Sequence, residues 1–447
     1  MRGLVSRQGV VIGTMWLAVL AVAVLVPAGR AGAVPSFARQ TGLPCNACHT
    51  VFPQLTAYGR SFKMEGYTMA SSTQGEVPRL QEAPLAPIAL MIETSLTSTS
   101  KPQPGTQNGN VLFPDQMSLF YAGRISSHLG AFIQFTYDGV DDHFTMDNTD
   151  IRYARRSASG EWLYGLTLNN NPTVEDVWNS TPAWGYPYAS SPVAPAPAAA
   201  TLVDGTLAQQ VGGLGGFASF NNTLYGAVTL YRSSEIGGNE PPDSSSAGVI
   251  DGVTPYWRLA YTRVWGSSNL ELGTYGLAAK LYPGAGVPLS GDTDRYLDLA
   301  VDGQYQWIPG GPHTLTVHGT WIHEKQDWDA SYPLGLTSTR SAVLKTLRLD
   351  ATYYHERTWG GTLAYFSTTG DRDSALYAPG PVEGSRTGSP DSDGFIVELD
   401  YVPWYNTKFM AQYVVYSKFN GASSNYDGFG RSASDNNTLY VNVWLAF

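Results

Sequence analysis

From residue 87 to the C-terminal Phe447 the chain alternates apolar and polar residues with a period of two, in segments of about ten residues separated by turn-forming stretches. In the last segment Leu439, Val441, Val443, Leu445 and Phe447 share one face, and Tyr440, Asn442, Trp444 and Ala446 the other. Between Tyr296 and Trp307, the residues Leu297, Leu299, Val301, Tyr305 and Trp307 oppose Asp298, Asp302, Gln304 and Gln306. Phe395, Val397, Leu399 and Tyr401 likewise oppose Glu398 and Asp400. This period demands strands with one apolar face. A soluble sandwich also satisfies it, so the connections carry the decision. Short turns fall near 126–130, 157–160, 220–222, 266–268, 309–312, 356–359 and 403–406. Long polar loops centre near residues 105, 143, 188, 243, 287, 332, 382 and 428. Seven turns and eight loops make fifteen connections, hence about sixteen strands with both ends on the short-turn side. The predicted fold is all-β: a transmembrane antiparallel β-barrel with short periplasmic turns and long external loops.

Composition agrees. Charged residues make up 14% of the chain, against about 25% in ordinary soluble domains. Tyrosine (27) and tryptophan (12) are abundant, and aromatics gather near strand ends, where an interfacial girdle needs them. A net charge of −10 with no basic run argues against nucleic acid as a partner. Asp298, Asp302, Arg348, Asp350, Glu398, Asp400 and His318 are assigned to the lumen, because at mid-depth in lipid such a charge costs about 2–4 kcal/mol. There they form a polar wall or meet the N-terminal part of the chain. The low-complexity stretch Ser190 to Ala200 reads as an extended external segment.

The chain opens with Arg2 and Arg7, an apolar run from Val10 to about Val26, and the small residues Ala31-Gly32-Ala33. This is the pattern of a signal peptide over residues 1–33, with a retained anchor as the alternative. The expected divisions are therefore 1–33, an N-terminal segment over 34–86, and the barrel over 87–447. The segment carries Cys45-Asn46-Ala47-Cys48-His49, which contains the only two cysteines of the chain. This is the spacing of c-type haem attachment. Two thiols form thioethers on one porphyrin edge, and the following histidine offers its imidazole to the iron. A disulfide or a thioredoxin-like pair would use the same cysteines. A zinc site would need further ligands that nothing nearby supplies. Export favours haem, since c-type haem is attached outside the cytoplasm. Cys45 and Cys48 are thus the candidate attachment points of one covalent haem c, and His49 its first axial ligand.

A short helix is predicted over 52–63. A segment this short buries too little surface to fold firmly alone or to enclose a porphyrin. It is therefore expected to dock in or against the barrel lumen.

The residues Phe37-Ala38-Arg39-Gln40-Thr41, Cys45 to His49, Pro53, Leu55, Gly59-Arg60, Phe62-Lys63 and Gly66-Tyr67-Thr68 resemble those of the fused monohaem cytochrome–porins, an iron-oxidising family of bacterial outer membranes. The resemblance is close over this segment and only architectural over the barrel. It implies an Fe(II)-oxidising oxidoreductase acting as an electron-transfer protein. Extracellular Fe(II) would be the donor, and a periplasmic c-type cytochrome or copper protein the acceptor. The location implied is the outer membrane of a Gram-negative bacterium, in contact with its lipid, with the N-terminus at the periplasmic side or within the lumen. Two other functions stay open. One is a porin for a small solute with the haem as plug or redox sensor, and the other a conduit for a non-iron donor. No nucleophile–base or phosphate-binding motif points to hydrolysis or group transfer.

The second axial ligand has several candidates: Met64 and Met69 in the segment, and His318, His128 and His355 in the barrel. Methionine raises the potential relative to a second histidine, which suits an acceptor of electrons from Fe(II). Met69 follows Gly66, whose flexibility lets the chain fold back over the ring. Met64 lies beside the predicted helix, where packing is an alternative role.

Overall fold

The computed structural model describes residues 35–71, 87–172, 174–178, 186–208, 210–234, 248–284, 286 and 288–447. The expected signal peptide and the stretch 72–86, which joins the segment to the barrel, lie outside the described residues.

The described residues form sixteen antiparallel strands in one closed barrel, each hydrogen-bonded to its sequence neighbours. The first eight are β1 (Ile88–Thr99), β2 (Asn110–Arg124), β3 (Leu129–Asp138), β4 (His143–Arg156), β5 (Trp162–Asn169), β6 (Val211–Phe220), β7 (Leu224–Ser233) and β8 (Thr254–Trp265). The rest are β9 (Ser268–Leu281), β10 (Asp294–Trp307), β11 (His313–Asp327), β12 (Ser341–His355), β13 (Trp359–Gly370), β14 (Ser392–Trp404), β15 (Thr407–Lys418) and β16 (Thr438–Ala446). β1 pairs with β16 from Met91↔Ala446 to Thr99↔Thr438. Closure leaves no row of unpaired backbone groups, which is what a strand structure needs in lipid.

The faces are those the period-two pattern assigns, and the molecule is apolar outside and polar inside. On β14, Leu399 is 64% exposed while its neighbours Glu398 and Asp400 are buried. On β10, Val301 is 54% exposed and Asp298 is fully buried. At the short-turn end, ring pairs Trp162–Phe220, Trp265–Tyr305 and Trp359–Tyr401 lie 4.8, 6.3 and 4.3 Å apart between centroids. They occupy the position of an interfacial girdle.

All seven short turns stand where the sequence places them. At the opposite end one expectation fails and one holds only in part. The long loop centred near 143 is only the connection 139–142, and His143 already opens β4. Its polar residues belong to the strand's inward face. Thr136 donates to Asp147, and Thr167 and Tyr67 to Asp150. The described residues of the connection 170–210 are only partly external: 174–178 and 201–203 fold inward, while Ser190, Pro192, Val193 and Ala196 stay exposed at the long-loop end. Glu175, Asp176, Val177 and Trp178 are buried, and the Ser190 to Ala200 stretch is held against the long-loop end of β1 and the neighbouring loops. Ser191 bonds Thr97 on β1 at 2.6 Å, and Ala198 N–H donates to Asn420 at 3.0 Å. Farther along, Leu202, Val203 and Leu207 pack against inward-facing Tyr231, Tyr256, Tyr275 and Leu277.

The N-terminal segment also lies within the barrel, at the short-turn end. It contains α1 (Ser36–Thr41), a helical turn α2 (Cys45–Cys48) and α3 (Ala57–Met64). The predicted helix begins later than the sequence reading, at Ala57. Thr56 caps it by accepting from Gly59 N–H at 3.1 Å, and Pro53 precedes the cap.

Candidate haem-binding site

The residues around the Cys-x-x-Cys-His motif anchor it to the barrel one by one. Phe37 of α1 stacks on Tyr67, meets Phe62 edge-on and reaches Phe132 of β3, with centroids at 5.4, 4.9 and 6.5 Å. Arg39 donates to the Ile88 carbonyl. Gln40 donates to the carbonyls of Tyr67 and Met69 and accepts from Arg124 N–H at 2.8 Å. Arg60, buried, donates to Leu55 O, Gln304 and Gln306 at 2.7 to 2.9 Å. Lys63, also buried, donates to the carbonyls of Val174 and Asp176 at 2.5 and 2.7 Å. Tyr67 donates to Asp150 at 2.6 Å. Burial of Arg60 and Lys63 is offset by these acceptors, although Arg60 Nη2 has no hydrogen-bond partner.

Two glycines permit the closest approaches. A β-carbon at Gly59 would lie 2.2 Å from the Cys48 carbonyl oxygen, so α3 packs directly on the motif. A β-carbon at Gly130 of β3 would lie 2.2 Å from the Gly66 carbonyl oxygen, so the segment's second bend rests on the wall. Thr56 ties the cap of α3 to the motif by donating to Ala47 O at 2.7 Å.

The motif opens onto a cleft of about 1210 Å³, its mouth included. Its segment side includes Phe37, Cys45, Cys48, His49 and Phe52, and its barrel side Ala89, Met91, Phe120, Ala122, Trp444 and Ala446. Arg357 and Lys408 are the cations among the lining residues. Phe52 bridges the two sides, with centroids 5.2 Å from His49 and 4.9 Å from Trp444.

The donor set fits a c-type haem. His49 Nδ1 lies 3.3 Å from the Pro53 carbonyl oxygen. That oxygen only accepts, so Nδ1 carries the hydrogen and Nε2 keeps its lone pair for a metal. Burial pushes the imidazole pKa down to about 4, against the opposing hydrogen bonds to the Pro53 and Gln54 backbone, so the ring is neutral above that pH. The walls are mostly apolar, and Arg357 matches the charge of a porphyrin propionate. Cys45 and Cys48 are free thiols. Among the described residues no group of three or more His, Cys, Asp or Glu side chains could hold a metal ion on its own.

The other predicted ligands are not brought to the cleft. Met64 is buried with Ala154, Val177, Trp178, Phe217 and Tyr225 and does not line it. Met69 is half-buried and does not line it either. His318 accepts from Gln304 at 2.7 Å through Nε2 and donates to Asp350 at 2.9 Å through Nδ1, so neither nitrogen is left for iron. His128 and His355 are exposed on the turn side and absent from the lining. The lining residue that sequence reasoning missed is Met91. Its signal was position, because on β1 it falls in the inward series Ala89, Met91, Glu93, Ser95 rather than on the outward face.

At the other end of the lumen lies a polar chamber of about 1680 Å³, mouth included, lined by Asn148, Asn171, Asp204, Arg348, Asp350 and Gln412 among others. The stretch 174–178 stands between this chamber's loop and the segment. Asp176 pairs with Arg258 at 3.3 Å, and Arg258 with Asp302 at 2.6 Å.

No family model matches this chain, and no curated protein does. Solved structures similar to it include OmpF of Salmonella typhi in complex with daunomycin, at 12% identity over 80% of this chain and 97% of that one, with a TM-score of 0.49. The outer membrane channel DcaP of Acinetobacter baumannii is 12% identical over 80% and 96%, with a TM-score of 0.46. An anion-selective porin from Comamonas acidovorans is 12% identical over 80% and 98%, with a TM-score of 0.45.

Proposed function

We propose that this chain spans an outer membrane and takes electrons from extracellular Fe(II), passing them to a periplasmic c-type cytochrome or copper protein. The observation that carries the reading is the Cys-x-x-Cys-His motif, seated on an apolar cleft inside a barrel with His49 already oriented by Pro53. A haem attached at Cys45 and Cys48 would supply the one-electron chemistry. The chain's own residues do the rest. The outward apolar belt seats the barrel in lipid. Arg60, Lys63, Gln40 and Tyr67 fix the segment at the short-turn end, where a soluble partner can reach it. A porphyrin is far shorter than a hydrocarbon core of about 30 Å. In this reading the donor enters from the external end, through the polar chamber.

The test is stopped-flow spectroscopy of the purified protein mixed with Fe(II). The haem spectrum should move to the reduced form at a rate that rises with Fe(II) concentration. A protein reduced by dithionite and inert to Fe(II) would overturn the donor assignment. A second reading, a solute porin with the haem as plug or redox sensor, draws support from the volume and polar lining of the chamber. Liposome swelling with sugars, faster than for empty liposomes in the full chain, would favour it.

A further inference from the structure

The haem reading leaves the sixth position of the iron open, and the cleft restricts what can fill it. Apart from the motif, the lining side chains with a ligating atom on the barrel side are Met91, Tyr354, Tyr405 and Lys408. Tyr354 donates to Asp400. The Tyr405 hydroxyl accepts from Asn46 at 2.9 Å. Lys408 is surrounded by the carboxylates of Asp400, Glu398 and Glu93, and a protonated ammonium has no lone pair. Met91 has a thioether with no such commitment.

Its placement is fixed by the wall. Met91 faces inward and is buried, between ladder partners Ser118 on β2 and Ala446 on β16. It packs with Trp444, Ala446 and Phe120. Trp444 stacks on Phe52, and Phe52 lies beside His49. The methionine is thus on the barrel side of the same cleft whose segment side carries the proximal histidine. Met64 and Met69, on the segment itself, do not line that cleft.

We propose that the Met91 thioether is the second axial ligand of the iron, an assignment that rests on the haem reading above. Ligation from β1 would make the haem a bridge between segment and barrel. Docking of the segment and a high reduction potential would then be one event, because thioether ligation favours the reduced iron.

The experiment uses the full-length protein from a host that matures c-type cytochromes. M91L, M64L and M69L are compared with wild type, leucine being close to methionine in volume. Pyridine haemochrome spectra come first, because a wild type without covalent haem overturns the underlying reading and is recognised at that step. With haem present, M91L should lose the weak sulfur-to-iron band of the oxidised protein and show a lowered midpoint potential. M64L and M69L should retain both. Should M91L fail to fold, as judged by heat-shifted gel migration, M91H decides. A bis-imidazole spectrum supports the assignment. A sulfur band that survives in M91L or M91H, or one lost in M64L or M69L, overturns it.

Discussion

The two inserts that occupy this barrel are held by different chemistry. The N-terminal segment is held mostly through its own donors, with Gln40, Leu55 and Glu65 accepting from Arg124, Gln306 and Arg156. Arg60 and Lys63 give their hydrogens to glutamine oxygens and loop carbonyls, and its close contacts are made through glycines. The later part of the 170–210 stretch is received by wall carboxylates. Leu202 N–H donates to Glu324 and Val203 N–H to Asp298 at 2.5 and 2.7 Å, while Arg348 clamps Asp204 at 2.7 Å. One insert borders an apolar cleft and the other a polar chamber. A single polar-lumen barrel is thereby divided into an end suited to a flat apolar cofactor and an end suited to water and ions. The inserts meet where Lys63 grips Val174 and Asp176.

If that division is right, damage at one end should stay there. The largest effect is expected from Gly59→Leu. Its side chain would start 2.2 Å from a backbone oxygen of the motif, a clash on the order of 3–5 kcal/mol. Covalent haem yield and protease resistance of residues 35–71 should collapse, while the heat-shifted migration of the barrel stays. Unchanged haem yield would show that α3 does not support the motif.

Lys63→Met comes next. It leaves two loop carbonyls without their donor, a cost of about 2–3 kcal/mol. Limited proteolysis should cut the segment faster while haem remains attached. Equal cleavage of both inserts would mean they fold as one unit and would break the comparison.

Deleting residues 190–200 should act only on the chamber. Single-channel conductance in planar bilayers is expected to rise several-fold, with the haem spectrum unchanged. A shifted spectrum would contradict the separation of the two ends.

The smallest effect is a pH effect in the loops over the chamber. Asp373 is opposed by burial, but backbone N–H donors of Leu376 and Ser338 and the Thr339 hydroxyl outweigh it and hold its carboxyl at about 2. The folded value lies below the unfolded one. The contribution is therefore present above about pH 4 and fades as pH falls toward 2. Pepsin cleavage between 371 and 391 should accelerate over that window in wild type. In Asp373→Asn it should already be fast at pH 4.

Much of this was legible because it is local. The face of Leu399 or Asp298 follows from parity along a strand, and the seven turns follow from their residues. What was hidden depends on distant partners. Glu175 and Asp176 look like loop acids until the Glu175 carboxylate accepts from Asn169 and Thr229 and Asp176 pairs with Arg258, all on strands distant in sequence or position. The run from His143 to Asp150 reads as a polar loop because a lumen-facing strand uses loop-like residues. The motif and its flanking residues point to the proposed cofactor, yet they offered methionines of their own. A ligand on β1 requires knowing that the segment docks beside the β1–β16 closure.

In the proposed function, haem is covalently held at Cys45 and Cys48 inside the folded barrel. The direct measurement is a haem-stained denaturing gel with the reduced pyridine spectrum of the full-length protein and of Cys48→Ala. Stain should comigrate with the wild-type chain, which should show a two-thioether spectrum that is lost in the variant. A wild-type chain without stain, or a Cys48→Ala protein with a full complement of two-thioether haem, would contradict it.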